Sequence, residues 1–278
     1  MTALEFTVVV WVLSALAGFL GALTGLGGGV VVVPALTLAL GVDMKYAIGA
    51  SLVSVIATSS GAAAAYVREG FSNIRIGMFL EIATTIGAIV GAFLAGRVST
   101  HALAIVFGLV LLQAAYQSFK GPPESGERIE SDKLAARLRL GSAYPVDGKP
   151  LQYGVRNVPG GFAMMFGAGA LSGLLGIGSG AVKVIAMDRI MHIPFKVSTT
   201  TSNFMIGVTA AASAGLYLSR GYIEPRVAMP VMLGVLFGAL LGAKVLVHAR
   251  VKTLRIVFGV VILALAIEMI VNGIAGKV

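Results

Sequence analysis

The sequence contains no cysteine among its 278 residues. This absence excludes disulfide bonds, thiolate metal sites and cysteine nucleophiles. Charged residues make up only 12% of the chain, against about 25% in a typical soluble domain. The three histidines, His101, His192 and His248, show no spacing that is typical of metal ligands. We therefore expect no metal, no cofactor and no catalytic residues, and hence a protein that is not an enzyme.

Hydrophobic residues account for 57% of the chain, and its mean hydropathy is +0.94. Long apolar stretches recur, and most reach the roughly 20 residues that a helix needs to cross about 30 Å of hydrocarbon. Residues 1–23 lack the basic start of a signal peptide and carry Glu5, so they are interpreted as the first membrane helix. The composition predicts an all-α polytopic membrane protein; the resemblance described below implies the inner (plasma) membrane.

The two halves of the sequence resemble each other at one constant shift without a gap. Matching positions include Lys45 with Lys196, Tyr66 with Tyr217 and Arg75 with Arg226. We interpret this as an internal repeat, with the first repeat at residues 1–119, a polar connecting loop at 120–153 and the second repeat at 154–278. The predicted helical segments are 3–24, 30–41, 46–66, 75–97 and 101–119 in the first repeat and 155–175, 181–192, 197–218, 226–247 and 252–272 in the second.

The basic residues predict how the chain lies in the membrane. Basic residues are in excess in cytoplasmic loops. The basic residues divide most unevenly between the two faces of the membrane if the short second segment of each half enters and leaves the membrane on the same side. The N- and C-termini then lie outside, the 120–153 loop is cytoplasmic, and the two halves are antiparallel. If the short segments changed sides, the halves would be parallel and the basic residues more evenly divided. We expect two inverted repeats of five helical segments each, with short or broken helices at the repeat interface, as in secondary transporters.

Two glycine clusters, "GLGGG" and "GIGSG", interrupt the apolar stretches at matching places. We predict that each cluster ends one helix and begins another inside the bilayer, because glycine permits positive φ angles. The free N–H groups and the dipole at each new helix start would attract an anion. The alternative is a packing surface of small residues, although packing glycines are spaced by four. The predicted binding residues are Gly25, Gly27, Gly28 and Gly29 in the first cluster and Gly176, Gly178, Ser179 and Gly180 in the second.

Polar side chains inside the predicted spans are further candidates. Lys183 follows the second cluster by one turn and would add a positive charge there, unless it reaches an interface or pairs with an acid such as Asp188. Hydroxyl side chains concentrate at residues 51–60 and 199–202, and their polar faces could line the same cavity. Glu81 is either a proton carrier or a neutral, hydrogen-bonded structural residue. Gln113 is an additional polar candidate.

The stretches "GLGGGVVVVPAL", "YAIGASLVSV", "GLLGIGSG" and "KVSTTTSNF" resemble the TauE/SafE sulfite exporter family, also called the four-toluene-sulfonate uptake permeases. The resemblance covers both halves but not residues 121–153. It implies transport of sulfite or of organosulfonates such as sulfoacetate or taurine. It also implicates the two glycine clusters and, beside them, Ser51, Thr201, Ser202 and Asn203. The second cluster reads "GIGSG" rather than "GLGGG", which together with Lys183 makes the two halves chemically unequal.

The expected function is export of a small sulfur-containing anion by alternating access. The expected partners are this anion and the lipid bilayer, with a second copy of the chain as a further candidate. The net charge of +9 is interpreted as basic loops that face anionic lipid, rather than as a sign of nucleic-acid binding. The alternatives are an anion channel, an importer of another small oxyanion, an intramembrane enzyme, and a membrane scaffold without transport activity.

Overall fold

The computed structural model describes residues 2–24, 28–68, 71–120, 130–146, 149–246 and 251–276, most of them helical. The first half contains α1 (Ala3–Thr24), α2 (Gly29–Pro34), α3 (Met44–Arg68), α4 (Ile74–Ala95) and α5 (Thr100–Lys120). Between the halves lie α6 (Lys133–Arg137) and strands β1 (Ser142–Val146) and β2 (Lys149–Tyr153). The second half contains α7 (Val158–Leu175), α8 (Gly180–Ile185), α9 (Phe195–Ser219), α10 (Pro225–Leu246) and α11 (Val251–Ile274). The predicted segments match these helices to within a few residues.

The short second segment of each half is confirmed. In each half, a six-residue α-helix continues into a five-residue π-helical turn, Ala35–Ala39 after α2 and Ala186–Ile190 after α8. Pro34 ends α2, where its missing N–H interrupts the regular hydrogen-bond ladder. Each combined segment extends roughly 16 Å at 1.5 Å per residue, which is too short to cross a bilayer alone.

Five helices in the described part of the chain are long and apolar enough to cross a membrane: α1, α4, α5, α7 and α10. By length alone, α3 and α9 with 25 residues each and α11 with 24 could also cross. The protein is therefore an all-α, multi-pass membrane protein, as expected from its composition.

The helices pair across the two halves. α1 packs mainly against α10, α4 against α7, and α5 against α11, while α3 and α9 meet at the centre. The α4–α7 contact brings backbones together, since Gly91 lies against the carbonyl of Ala170 and Gly173 against that of Ala88. These glycines are the small-residue packing positions that let helices in lipid approach closely.

We predict that Gly91→Ala destabilises the protein by about 1–3 kcal/mol, because the added methyl group would overlap the Ala170 carbonyl. The matched control is Gly215→Ala on α9, where an added Cβ meets no atom within 4 Å. Thermal unfolding in detergent, followed by size-exclusion chromatography, measures both. Equal unfolding temperatures for the two variants would contradict the close α4–α7 contact.

The equivalent helices α5 and α11 run in opposite directions where they pack. His101 near the start of α5 lies beside Gly273 at the end of α11, and Phe119 at the end of α5 lies beside Gly259 near the start of α11. In the repeat, α1 is equivalent to α7, α4 to α10 and α5 to α11. The α1–α10 pair of helices is therefore equivalent to the α7–α4 pair, and the α5–α11 pair is equivalent to itself. The helix pairing thus follows the same relation that aligns the halves of the sequence.

The connecting segment was expected to be a polar aqueous loop, and its described part is an ordered element. The side chain of Asp132 caps α6 by accepting from the Ala135 N–H at 2.7 Å. β1 and β2 form an antiparallel hairpin in which Tyr144 pairs with Leu151. Ala135, Leu140 and Val155 are buried in one apolar cluster, which also contains residues of α4, α7 and α9. The segment therefore docks onto the ends of these helices.

Asn73 ties this docked segment to the helices. Its Oδ1 accepts from the Ile76 N–H and caps α4, while its Nδ2 donates to the Leu140 carbonyl at 3.1 Å and to the Tyr153 hydroxyl at 2.8 Å. Its backbone N–H donates to Thr201 Oγ1 at 3.0 Å. Burial raises the pKa of Tyr153, so the phenol stays neutral, and its oxygen accepts this bond while its proton remains free to be donated.

We predict that Asn73→Ala lowers the free energy of unfolding by about 1–3 kcal/mol, because it removes a helix cap and leaves buried partners without a bond. The control is Asn272→Ala on α11, whose half-buried side chain makes no hydrogen bond in the described part of the chain. Limited proteolysis within the connecting segment should accelerate in Asn73→Ala alone. Unchanged proteolysis would mean that Asn73 does not hold the segment in place.

Candidate functional site

The second glycine cluster breaks a helix, as predicted. α7 ends at Leu175 and α8 begins at Gly180. Between them Gly176 (φ +68°), Gly178 (φ +71°) and Ser179 (φ +45°) adopt left-handed backbone conformations. Two of these positions are glycine, for which this conformation carries no steric penalty. The chain thus ends one helix and starts another within four residues.

The first cluster precedes the start of α2. α2 begins at Gly29, and Gly28 before it has an ordinary helical conformation. The predicted binding residues Gly25 and Gly27 lie outside the described residues, whereas Gly28 and Gly29 lie within them and are buried. The predicted interruption after α1 falls on residues 25–27, outside the described residues, and stays a prediction.

The start of α2 lies beside the break between α7 and α8. Ser51 on α3 donates from Oγ to the Gly176 carbonyl at 2.8 Å, and the same Oγ lies 3.5 Å from the Gly29 carbonyl. A Cβ on Gly29 would lie 3.2 Å from the Gly176 carbonyl oxygen. Ser202 on α9, the repeat equivalent of Ser51, donates to the Gly180 carbonyl at 3.3 Å. One serine from each central helix therefore contacts the backbone at the start of a short helix.

Glycine is also required at the second break because a large side chain fills the space beside it. A Cβ on Gly178 would lie 2.8 Å from Ile206 Cγ2, and one on Gly180 would lie 2.8 Å from Ile206 Cδ1. Ile206 on α9 is buried. Conformation and packing thus both favour glycine at position 178.

We predict that Gly178→Ala destabilises the protein by about 1–2 kcal/mol from its left-handed backbone alone, with further cost from the contact with Ile206. Gly167→Ala on α7 is the control, since an added Cβ there meets nothing within 4 Å and alanine favours a helix by up to about 1 kcal/mol. Thermal unfolding compares the two variants. A Gly178→Ala protein as stable as Gly167→Ala would argue against the left-handed break.

A small cavity of about 20 Å³, room for about one water molecule, lies where the two short helices begin. Val30 of α2 and Gly180 of α8 contribute to its wall, and its polar lining comes from Ser179, Gln113 and Gln117. Ser179 is only 3% exposed, and its Oγ has no hydrogen-bond partner in the described structure. Most of the lining is apolar, from residues such as Leu171 and Ile177, and the unused hydroxyl and the two amides are its neutral polar members.

Gln117 was not selected from the sequence, and Gln113 was only an additional candidate. The two glutamines are four residues apart on α5 and hence share one face of that helix. This spacing was the available signal. The spacing does not show that α5 lies beside Ser179, because that contact joins distant parts of the chain.

Other predicted hydroxyl donors are used in structural contacts. Ser51 and Ser202 donate to backbone carbonyls at the breaks, and Thr201 Oγ1 accepts from the Asn73 N–H. Asn203 is half-buried on α9. None of these four side chains lines the cavity beside Ser179.

Lys183 is fully buried and points to a carboxylate. Its Nζ donates to Thr209 Oγ1 at 2.5 Å, and the Thr209 hydroxyl donates to Glu81 Oε1 at 2.6 Å. Thr85 Oγ1 lies 3.3 Å from the same Oε1. The neighbouring Val182 lines the cavity, whereas Lys183 is not among its lining residues. The alternative that Lys183 pairs with an acid therefore agrees with the structure. The acid is Glu81 rather than Asp188, and Thr209 bridges the two side chains.

The described residues contain no cluster of three or more His, Asp or Glu side chains that could hold a metal ion. The polar groups of this region are the Ser179 hydroxyl and the two glutamine amides at the cavity, with the buried Lys183, Thr209 and Glu81 side chains nearby.

Comparison with known proteins gives a consistent result. Residues 10–269 match the family described as sulfite exporter TauE/SafE. The "Probable membrane transporter protein YunE" of Bacillus subtilis (strain 168) is 28% identical over 274 residues, which cover 96% of this chain and 98% of that protein. The "Probable membrane transporter protein YdhB" of the same organism is 27% identical over 85% of this chain and 87% of its own length. A "Probable membrane transporter protein" of Xylella fastidiosa (strain 9a5c) is 24% identical over 92% and 91%. No solved structure matches the chain significantly.

Proposed function

The chain belongs to the TauE/SafE sulfite exporter family, and on this premise we propose that it carries small sulfur-containing anions, either sulfite or organosulfonates such as sulfoacetate or taurine. The family and the matched relatives are membrane transporters rather than enzymes. The names of the relatives state membrane transport and no substrate, so the substrate class is part of the proposal.

The meeting of the start of α2 with the break between α7 and α8 is the observation that carries this proposal. An anion bound there would accept hydrogen bonds from the Ser179 hydroxyl and from unpaired N–H groups in the first turn of α8, which no side chain caps. The three oxygens of a sulfonate or sulfite suit several donors arranged around one point. A neutral donor set also binds a small anion without leaving a charge buried when the site is empty.

A cavity of about 20 Å³ holds about one water molecule and is smaller than a sulfonate group. Binding therefore requires the elements around it to separate, as they do in a carrier that alternates between two open states. We propose that the two halves are inverted repeats and that one moves against the other. The antiparallel packing of α5 and α11 supports this arrangement.

We also propose that the protein lies in the inner membrane with both termini outside and the 120–153 loop in the cytoplasm, on the distribution of basic residues. An anion that crosses alone would then be driven outward by the inside-negative potential, by about 2.3 kcal/mol per charge per 100 mV. Export is the direction that voltage favours.

Counterflow in proteoliposomes tests the proposal. Vesicles loaded with unlabelled sulfite, sulfoacetate or taurine should take up the same labelled compound transiently and with saturation. A channel would conduct without counterflow, and absence of both counterflow and conductance for every anion would contradict the proposal.

We predict that Ser179→Ala raises the half-saturating concentration about tenfold, since a hydrogen bond to a charged group contributes about 1.5 kcal/mol. The fold should be unaffected, because the hydroxyl has no partner to lose within the described structure. Ser219→Ala is the control, because Ser219 is exposed and bonds only within its own helix, to the Leu216 carbonyl. An unchanged half-saturating concentration in Ser179→Ala would contradict a binding site at the break between α7 and α8.

A further inference from the structure

We propose that Glu81, Thr209 and Lys183 form a proton-coupling site that takes up one proton with each anion carried. This inference rests on the proposed function, to which it adds the coupling ion and a role for the buried lysine. It is argued from the geometry of the three side chains, from the charges around them and from the place of Lys183 on α8.

The three residues connect three elements of the two halves. Glu81 belongs to α4 in the first half, and Thr209 on α9 and Lys183 on α8 belong to the second. Glu81 is 7% exposed, and the other two are fully buried. Thr209 Oγ1 accepts from the ammonium group and lies 2.6 Å from Glu81 Oε1 and 3.0 Å from the Met205 carbonyl, so its hydroxyl has the carboxylate as the nearer of two acceptors. Glu81 Oε2 is buried and has no hydrogen-bond partner in the described structure.

The surroundings supply no other balancing charge among the described residues. α4 packs against α7, which has no titratable side chain, and against α9. Lys183 is the charged group that acts electrostatically on Glu81, and Glu81 is the one that acts on Lys183. Four other titratable groups on these elements have contacts or exposure elsewhere: Lys196 lies 3.7 Å from the Phe71 ring centre, Arg75 bonds to the Arg139 carbonyl, Tyr217 bonds to the Leu174 carbonyl, and Arg189 is exposed. Asp188 also has an interaction, and the electrostatic effect on Lys183 comes from Glu81.

The charge balance links the proton to the anion. With Glu81 ionised, the positive charge of Lys183 is neutralised, and an anion entering the break gains little from it. When a proton binds at Glu81 Oε2, the carboxyl becomes neutral and the charge of Lys183 is left without a counterion. A buried unpaired charge is costly, and a nearby anion removes that cost.

Lys183 is placed to provide this charge. Its backbone N–H bonds to the Ser179 carbonyl, so it lies in the first turn of α8, and the preceding residue Val182 lines the cavity. Proton and anion therefore stabilise each other's binding, and the effect is reciprocal. When the anion leaves, Lys183 again favours the ionised carboxylate, and the proton leaves Oε2.

The consequence is a change in the driving force. A monovalent anion that travels with one proton moves no net charge, so the membrane potential no longer drives it. Its flux instead follows the pH gradient together with the anion gradient. A pH difference of one unit should then support about tenfold accumulation of the anion on the alkaline side.

The experiment uses the full chain in proteoliposomes with radiolabelled methanesulfonate, which carries one negative charge at every pH used. Wild-type vesicles should show counterflow at equal pH and accumulation when the interior is alkaline, with no response to an imposed potassium diffusion potential. Glu81→Gln keeps the shape and hydrogen-bonding capacity of the side chain but cannot ionise, so it should retain counterflow and lose the pH-driven accumulation. Glu268→Gln, at an exposed acid on α11, should retain both.

The outcomes separate coupling from transport. Wild-type protein without counterflow or conductance of any anion would contradict the proposed function itself. Wild-type counterflow without pH-driven accumulation would contradict the coupling proposal alone. Accumulation by Glu81→Gln at the wild-type level, or loss of counterflow in a well-folded Glu81→Gln protein, would also overturn it.

Thr209 provides a second test that does not depend on the folding of Glu81→Gln. Thr209→Val removes the hydroxyl between Lys183 and Glu81 and should reduce pH-driven accumulation at least fivefold while counterflow continues. Thr209→Ser keeps the hydroxyl and should restore accumulation. Equal accumulation by the valine and serine variants would show that the bridge has no part in coupling.

Discussion

The hydrogen bond from Ser51 to the Gly176 carbonyl is the contact on which the rest of the structure depends. A helix that ends inside a bilayer leaves backbone groups that lipid cannot satisfy. Here the carbonyl at the end of α7 is bonded by a hydroxyl from α3, and that hydroxyl also lies near the start of α2. The polar partner of this break thus also lies beside the start of α2.

A second constraint acts on charge. A lysine buried without a partner would be too costly to retain, and Thr209 links Lys183 to Glu81 across the two halves. Any movement of one half against the other would change this bridge. The same displacement would change the cavity at the helix breaks, because α8 carries both Gly180 and Lys183. Substrate access and charge balance are in this way coupled through one short helix.

Much of this fold was predictable from local pattern. The apolar stretches predicted the helices, and the second glycine cluster predicted the interruption between α7 and α8, because hydropathy and backbone freedom are properties of short segments. The contacts of polar residues were not predictable in this way. The oxygens of Ser51, Thr201 and Ser202 contact backbone groups, and their predicted role in anion binding stays a prediction. The partnership of Lys183 with Glu81 and the docking of the connecting segment through Asn73 arise from contacts between distant parts of the chain.

The central claim is that one site at the meeting of the breaks is reached in turn from both faces of the membrane. Because the chain has no cysteine, a single Ser179→Cys substitution provides a unique thiol for a membrane-impermeant maleimide. The account predicts labelling from either face in sided vesicles, with protection by sulfoacetate from both. Labelling from one face only, or labelling from both that no sulfonate slows, would contradict it.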